Sequence, residues 1–273
     1  MAVRLGHEKL HVYQRALRFV GWAQEVLAAI DHRAAVADHL DRASESIVES
    51  IANGNSRRSA GDRDRFFDVA VGSGLECAAC LDVCACKDLI PSELQVDGKT
   101  QLRSIVNMTI RLRESESPSV HETPGTYGTD TDGIPVGFFA HEGLDVYRVA
   151  LELVTVLDRL VCDVAMGGRY SARLDKDCTS VVLNIAEGNG RFCRLDHRRF
   201  IDIAHTSAMG VASGLDVLAA RGMVAGEQIG GAKGVLVRLV PLLLGLRGYL
   251  DEADEGASGA TWASVEAPSS SRS

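Results

Sequence analysis

The sequence predicts an all-α protein, arranged as two tandem antiparallel four-helix bundles joined by a flexible linker. Apolar residues recur every three or four positions over long stretches, which is the spacing of one face of an α-helix. The chain has 273 residues, of which 46% are hydrophobic but only 5% aromatic, and six are prolines, a composition that favours helices with small aliphatic faces. The chain also repeats itself, and four amphipathic helices with short connections pack most simply as an antiparallel bundle.

The repeat relates the two halves of the chain without a gap. HEKLHVYQRAL (His7–Leu17) matches HEGLDVYRVAL (His141–Leu151), which sets an offset of 134 residues. At this offset SIANGNSR matches NIAEGNGR, DRDRFFDVA matches DHRRFIDIA, and ACLDVCA matches SGLDVLA. The register holds as far as Ile90 and Val224. We infer an internal duplication.

The first half divides into four helices. A stripe of apolar residues from Leu10 to Leu27 predicts the first helix, and apolar residues from Val36 to Ile51 predict the second. Gly54 is expected to end the second helix in a left-handed cap. Ser59 and Asp62 resemble a capping box that opens the third helix, and Pro91 ends that helix. The fourth helix is expected over Leu94–Leu112.

The second half is expected to follow the same plan. Its helices are predicted near Gly143–Ala165, Arg169–Glu187, Arg194–Arg221 and Gly226–Leu250. Pro241 should kink the last of them, because proline lacks the backbone donor that the helix needs there.

The domain boundaries follow from composition. We predict a first bundle over residues 1–113, a flexible linker over 114–137, a second bundle over 138–250 and a disordered acidic tail over 251–273. The linker is dense in Ser, Thr, Pro, Gly and Asp, so it lacks the apolar surface that would order it.

Charge, cysteine usage and hydropathy indicate the environment. The formal net charge of −8 argues against a general polyanion-binding protein. Seven cysteines, four of them in one helix-like stretch, suit reduced thiols better than a disulfide framework. The N-terminus has no hydrophobic signal region, and the most apolar run, VLVRLVPLLLGL, is short and interrupted. We therefore expect a cytoplasmic protein with no membrane partner.

The segment NIAEGNGRF (Asn184–Phe192) is the first candidate site. Its architectural interpretation is a turn: Gly188 caps the second helix, Asn189 and Gly190 tolerate positive φ, and Glu187 pairs with Arg191 or Arg199. The structural turn residues are then Asn184, Gly54, Gly188 and Gly190. The functional alternative is a rim that contacts phosphates of RNA. In that case the binding residues, for RNA or another partner, are Arg57, Arg58, Arg65, Glu187, Arg191, Arg194, Arg198 and Arg199.

Two other patterns suggest metal or catalysis only weakly. Cys77, Cys80 and Cys84 share one helical face and could bind a soft metal, but the other helices of that half supply no cysteine as a further ligand. They suit core packing better. HExxH at His7, Glu8 and His11 has no second histidine in the other half and no evident third ligand. We predict no metal, no cofactor, no small-molecule substrate and no enzymatic activity.

The motifs LDVYRVAL, LNIAEGNGR, RRFIDIA and GLDVL resemble the bacterial four-helix bundle proteins encoded in intervening sequences of large-subunit ribosomal RNA genes. That family also includes the accessory variability determinant of diversity-generating retroelements. The resemblance implies small bundles that assemble into homo-oligomeric rings, pentamers in known cases, without an established catalytic activity. The retroelement members bind a reverse transcriptase and nucleic acid through a basic surface.

These observations lead to one expected function and two alternatives. We expect a non-enzymatic assembly or adaptor protein that self-associates and binds a protein or structured RNA. The first alternative is an accessory factor that binds structured RNA or a reverse transcriptase through a local basic face. The second is a soft-metal-binding bundle that uses Cys77, Cys80 and Cys84.

Overall fold

The computed structural model describes residues 5–30, 34–114, 138–163 and 168–255, with side chains as far as residue 251. These residues form eight α-helices and two short 3-10 helices and include no β-strand, which confirms the all-α class. The predicted linker beyond Glu114 and the predicted tail beyond Glu255 lie outside the described residues. The last helix continues past the predicted boundary at residue 250.

The helices follow the predicted order, with bounds that differ by a few residues. The first half contains α1 (His11–Ala29), α2 (Ala35–Ser56), α3 (Ala60–Cys86) and α4 (Ser92–Glu114). The second half contains α5 (Asp145–Asp163), α6 (Arg169–Asn189), α7 (Arg194–Ala220) and α8 (Gly226–Glu255). A single 3-10 turn precedes each half, at His7–Lys9 and Ala140–Gly143.

The structure extends the sequence repeat into the fourth helix of each half. Equivalent helices begin at positions that differ by the repeat offset, and three side-chain contacts recur at that offset. Ser46 and Ser73 are joined by a hydrogen bond of 2.8 Å, as Ser180 and Ser207 are at 2.9 Å. The ion pair Asp68–Arg113 at 2.9 Å recurs as Asp202–Arg247 at 2.7 Å, and Asp82–Lys99 at 2.6 Å recurs as Asp216–Lys233 at 2.8 Å. These matching contacts support the inferred duplication.

Within each half the helices contact one another in cyclic order. In the first half α1 packs on α2 and α4, and α3 packs on α2 and α4; in the second half α5 packs on α6 and α8, and α7 packs on α6 and α8. The halves meet where α3 packs against α6 and α5, and where α2 touches α6. We call this contact between the halves the junction.

The third helix is the centre of the molecule. It begins at the predicted cap, where the Asp62 backbone N–H donates to Ser59 Oγ at 3.4 Å. From Val71 to Cys84 every residue except Glu76 is buried, so α3 is covered on all sides rather than along one stripe. This follows from its position, because α2 and α4 cover one side of α3 while α5 and α6 cover the other.

Three described helices reach the length and mean hydropathy of a membrane span: Ala60–Cys86, Arg194–Ala220 and Gly226–Asp251. By this measure the expectation of no membrane-length apolar segment is wrong, because a long window with few charges qualifies even when it is interrupted. The apolar window of the first helix is 78% buried by the protein itself, but the windows of the other two are only 28% and 39% buried. The second half therefore leaves apolar helix surface exposed.

Candidate functional site: the junction and its exposed counterpart

The segment NIAEGNGR lies at the junction. Gly190 packs directly on α3: a Cβ placed on it would lie 3.0 Å from Gly72 Cα and 3.0 Å from Leu75 Cδ1. A Cβ on Gly72 would in turn lie 3.1 Å from Arg191 Cζ. All three distances are shorter than ordinary van der Waals contact. The turn therefore brings the two halves together, a role that its local sequence does not reveal.

The predicted conformational reason for the glycines is wrong. Among the described residues, only Asp88, Gly168 and Gly222 have positive φ, and Gly190 has φ −81°. Gly54 and Gly188 lie inside α2 and α6, where a Cβ would approach the ring of Phe67 to 2.6 Å and Phe200 Cβ to 2.9 Å. These glycines are needed because a helix start packs closely on them. Asn184 is not in the turn either: it lies within α6 and donates through Nδ2 to the Ser180 carbonyl at 2.7 Å.

The predicted pairing of Glu187 is observed with Arg191. The Arg191 guanidinium donates to Glu187 Oε1 and lies 4.8 Å from the centroid of the Phe200 ring, which joins α6 to α7. Both side chains are largely buried, and burial raises the pKa of the Glu187 carboxyl. This arrangement makes Arg191 and Glu187 packing residues at the junction rather than a free surface for phosphates.

Of the other arginines predicted to bind, some contact other residues of the protein and some are exposed to solvent. Arg198 forms an ion pair with Asp251 at 2.7 Å, and Arg194 is half-buried near the start of α7. Arg57 lies over the Phe66 ring at 4.6 Å from its centroid but stays exposed. Among the arginines predicted to bind, the exposed ones are Arg57, Arg58, Arg65 and Arg199.

A buried polar cluster, which the sequence analysis missed, lies at the other end of the junction. Asp82 of α3 accepts hydrogen bonds from Lys99 Nζ at 2.6 Å, Gln95 Nε2 at 2.7 Å and the Tyr147 hydroxyl at 2.8 Å. Lys99 Nζ also lies 2.9 Å from Glu142 Oε1. Tyr147 and Glu142 belong to the second half, so the cluster joins the halves across an apolar interior. Its only signal in the sequence was that His, Glu, Tyr, Asp and Lys occupy equivalent positions in both halves.

His141 completes this cluster. The residue is 0% exposed, and its ring packs edge-on against Tyr147 with centroids 4.6 Å apart. Neither ring nitrogen has a hydrogen-bond partner among the described residues. Burial, with a smaller effect from the Lys99 charge, lowers the pKa of His141 to about 3, so the imidazole is neutral at pH 7.

The same cluster is the only group of possible metal ligands in the described part of the chain. One ligand atom each from Asp82, His141 and Glu142 lies within 4.8 Å of the others. However, the Lys99 ammonium already lies between the two carboxylates and neutralises one of their two charges. A metal ion would have to displace it, and we assign this group to structure.

The cysteines of α3 are core residues. Cys77, Cys80 and Cys84 are each 0% exposed. Burial raises the pKa of Cys77 and Cys80 well above the ordinary value and that of Cys84 to about 12. Because metals bind the thiolate, neutral thiols in this setting favour packing over the soft-metal alternative. Two residues of the HExxH match also have local partners. Glu8 accepts a hydrogen bond from the Leu5 backbone N–H at 2.6 Å, and His7 packs on the Tyr13 ring.

A second ion pair crosses the junction. Lys87, which follows the last residue of α3, donates to Asp175 of α6. The other oxygen of Asp175 accepts from the Ala35 backbone N–H of α2 at 3.0 Å. Asp175 therefore ties the ends of two first-half helices to the second half.

The face of α7 that corresponds to the junction side of α3 is exposed. Leu75 and Val83 are 0% exposed, whereas their equivalents Met209 and Val217 are 49% and 41% exposed. Asp82 is buried, whereas its equivalent Asp216 is exposed. We call the following residues, which share one side of the helix, the α7 face: Thr206, Met209, Ser213, Asp216 and Val217.

Comparison with known proteins finds a match in the first half. Residues 8–111 match the family described as 23S rRNA-intervening sequence protein. The match confirms the resemblance seen in the sequence, although the segment NIAEGNGR lies outside the matched residues. For the second half, membership of this family is a prediction from the repeat. No curated protein and no solved structure matches the chain.

Proposed function

We propose that this chain, of which residues 8–111 match the 23S rRNA-intervening sequence protein family, is a non-enzymatic assembly protein. It associates with itself through helix faces and presents the assembled surface to a protein or structured RNA. The observation that carries this proposal is the exposed apolar surface of α7 and α8. Its large exposed residues are Leu195, Ile203, Met209, Val217, Val237 and Leu244.

Exposed apolar surface of this extent on long helices suits a partner, because monomeric soluble proteins rarely expose contiguous apolar patches beyond a few hundred Å². A lipid partner is the competing explanation. However, the partly exposed ion pairs Arg238–Glu152 and Arg247–Asp202 lie on these helices, and placing charges in hydrocarbon costs about 3 kcal/mol or more for each. The charges favour a protein partner over a membrane, and we retain the expectation of a cytoplasmic protein as part of the proposal.

The polar groups at the junction support a structural rather than a catalytic use. Asp82, Glu142 and Glu187 are each held by a basic partner within the protein. His141 is sealed from solvent and therefore has no access to a substrate. This arrangement joins helices and supports the non-enzymatic part of the proposal.

Light scattering of the purified chain tests the proposal. We expect a species heavier than one chain whose fraction grows with protein concentration. A single-chain mass at every concentration would contradict the self-association. Added detergent or lipid vesicles provide the control for a membrane: vesicle binding that leaves the protein monomeric would favour lipid as the partner.

A second candidate, binding of structured RNA, is favoured by the exposed arginines Arg57, Arg58, Arg65 and Arg199 and by the family that matches residues 8–111. Lys and Arg contacts to phosphates make affinity fall steeply as salt rises. Fluorescence anisotropy with a structured RNA should therefore show binding that weakens with salt and that Arg57→Glu with Arg58→Glu weakens further. The control is Arg198→Gln, because Arg198 is held by Asp251. Binding that is independent of salt, or equal in both variants, would remove this candidate.

A further inference from the structure

We propose that the α7 face binds the first half of a second copy of this chain, head to tail, by the contact that joins the two halves within one chain. This inference rests on the proposed self-association and specifies its geometry. The template is the junction, in which α3 of one repeat receives the first two helices of the next. In the same way a second copy would present its α1 and α2 to α7, its α2 also to α6, and its 3-10 turn to Lys233 of α8.

Most members of the polar cluster of the junction have equivalents on the two free surfaces. On the receiving side, Asp216 and Lys233 are paired at 2.8 Å, as Asp82 and Lys99 are at the junction. On the incoming side, His7, Glu8 and Tyr13 stand where the junction has His141, Glu142 and Tyr147. His7 also keeps its edge-on contact with Tyr13, at 4.8 Å between ring centroids. Of the cluster, only the Gln95 position differs, because Ile229 stands there; the other members have equivalents, which lie on separate surfaces within one chain.

The opposite charges of the second junction ion pair are also present at the equivalent positions of the two free surfaces. Lys87 binds Asp175 at the junction, and the equivalent residues are Arg221 and Asp41. Both are exposed, Arg221 at the end of α7 and Asp41 on α2. A second copy docked in the manner of the junction brings Asp41 to Arg221 with complementary charge.

Apolar residues on the two free surfaces match as well. Met209 and Val217 occupy the places of the buried Leu75 and Val83. On the incoming side Leu5 is 61% exposed, whereas its equivalent, Phe139, is buried. These three positions are therefore apolar on the free surfaces too, although they are exposed to solvent in the single chain.

The contact between copies is weaker than the junction, and α2 shows why. Glu45, Glu49 and Ser56 stand where α6 has Thr179, Leu183 and Gly190. Two carboxylates lose hydration when they face an apolar helix, which costs free energy unless they find partners. On α7, Thr206 replaces Gly72, so the closest backbone approach of the junction is not reproduced. Association is therefore concentration-dependent, whereas the junction is fixed within the chain.

A contact between two different surfaces can be recognised by mixing two variants, each of which has lost one of those surfaces. Met209→Glu blocks the receiving surface and Asp41→Arg blocks the incoming surface, and both positions are exposed, so the fold is retained. In sedimentation velocity each full-length variant alone should shift to the single-chain species. An equimolar mixture should form a one-to-one dimer, because each variant keeps the surface that the other lacks.

The control and a strengthening variant complete the test. Val96→Glu adds the same charge at an exposed apolar position of α4, which belongs to neither docking surface, and it should assemble as the unmodified chain does. Glu49→Leu restores the junction residue and should shift assembly to lower protein concentration. If the chain assembles but neither blocking variant changes it, the head-to-tail contact is wrong while the proposed self-association stands. If the chain and Glu49→Leu are both single-chain species at all concentrations, both proposals fail.

Discussion

Helices α3 and α7 occupy equivalent places in the repeat but have opposite surroundings. From Val71 to Cys84, α3 is buried almost without interruption, whereas over the same part of α7 only Ala208, Val211, Leu215 and Leu218 are buried. Those four follow the spacing of a single helical stripe. The difference is the partner: α3 has helices from both halves around it, and α7 has only those of its own half.

The comparison shows how one sequence pattern can serve as core in one half and as surface in the other. Asp82 and Asp216 each stand between a leucine and a valine, and each is paired with a lysine of the fourth helix of its half. Only Asp82 is buried, because only the first half is covered by Glu142 and Tyr147. Equivalent substitutions should therefore have unequal effects on stability.

Among equivalent substitutions, the largest difference in the free energy of unfolding is expected between Lys99→Met and Lys233→Met. Lys99→Met leaves Asp82 and Glu142 buried without a cation and should lower the free energy of unfolding by about 3–5 kcal/mol. Lys233→Met breaks a partly exposed pair and should cost less than about 1 kcal/mol. Urea unfolding of the two variants measures both values. Equal losses would show that Lys99 is not enclosed by the junction.

The apolar counterpart compares Leu75→Ala with Met209→Ala. Leu75 is fully buried and packs near Gly190, so truncation should cost roughly 2–5 kcal/mol. Met209 is half exposed, so Met209→Ala should lower the free energy of unfolding by about 0.5 kcal/mol or less in dilute protein. The same unfolding experiment measures the difference. A costly Met209→Ala would mean that α7 is covered in the single chain.

Acid should weaken the junction through His141. Its pKa is lowered to about 3 in the folded protein, so the unfolded chain binds more protons below pH 6.5. The stabilisation is full above pH 6.5 and is lost as pH falls, by about 2 kcal/mol between pH 7 and pH 5. His197, whose pKa burial lowers to about 4, acts in the same direction. Burial raises the pKa of Asp68 to about 6, which acts in the opposite direction.

Because these groups oppose one another, the test is a difference between variants. His141→Gln should reduce the loss of stability between pH 7 and pH 5, measured by urea unfolding at both values. His7→Gln is the matched control, since His7 is only partly buried, and it should keep the loss seen in the unmodified chain. An unchanged loss in His141→Gln would place the acid sensitivity elsewhere.

The smallest effect is expected at the turn. Gly190→Ala places a methyl group against the Gly72 backbone and should cost roughly 1–2 kcal/mol. Ser56→Ala, at the equivalent exposed position, should change stability by about 0.5 kcal/mol or less. Thermal or urea unfolding distinguishes them. A neutral Gly190→Ala would mean that α3 and α6 can move apart without loss.

The sequence alone determined the helices, their order and the cap at Ser59, because these depend on local spacing and on residues a few positions apart. It also indicated that Glu187 pairs with Arg191 or Arg199, and the structure shows Arg191, one helical turn away. The repeat and the resemblance to the family that matches residues 8–111 were visible for the same reason, since motifs are read along the chain.

Tertiary structure decided which copy of each motif is buried. Gly54, Gly188 and Gly190 looked like caps that need positive φ, but close packing on another helix is what requires them. His141, Lys99 and Asp82 come from distant segments, and no local pattern states that they meet. Burial, the low pKa of His141 and the exposed α7 face all depend on which helices lie opposite, and helical periodicity carries no information about that.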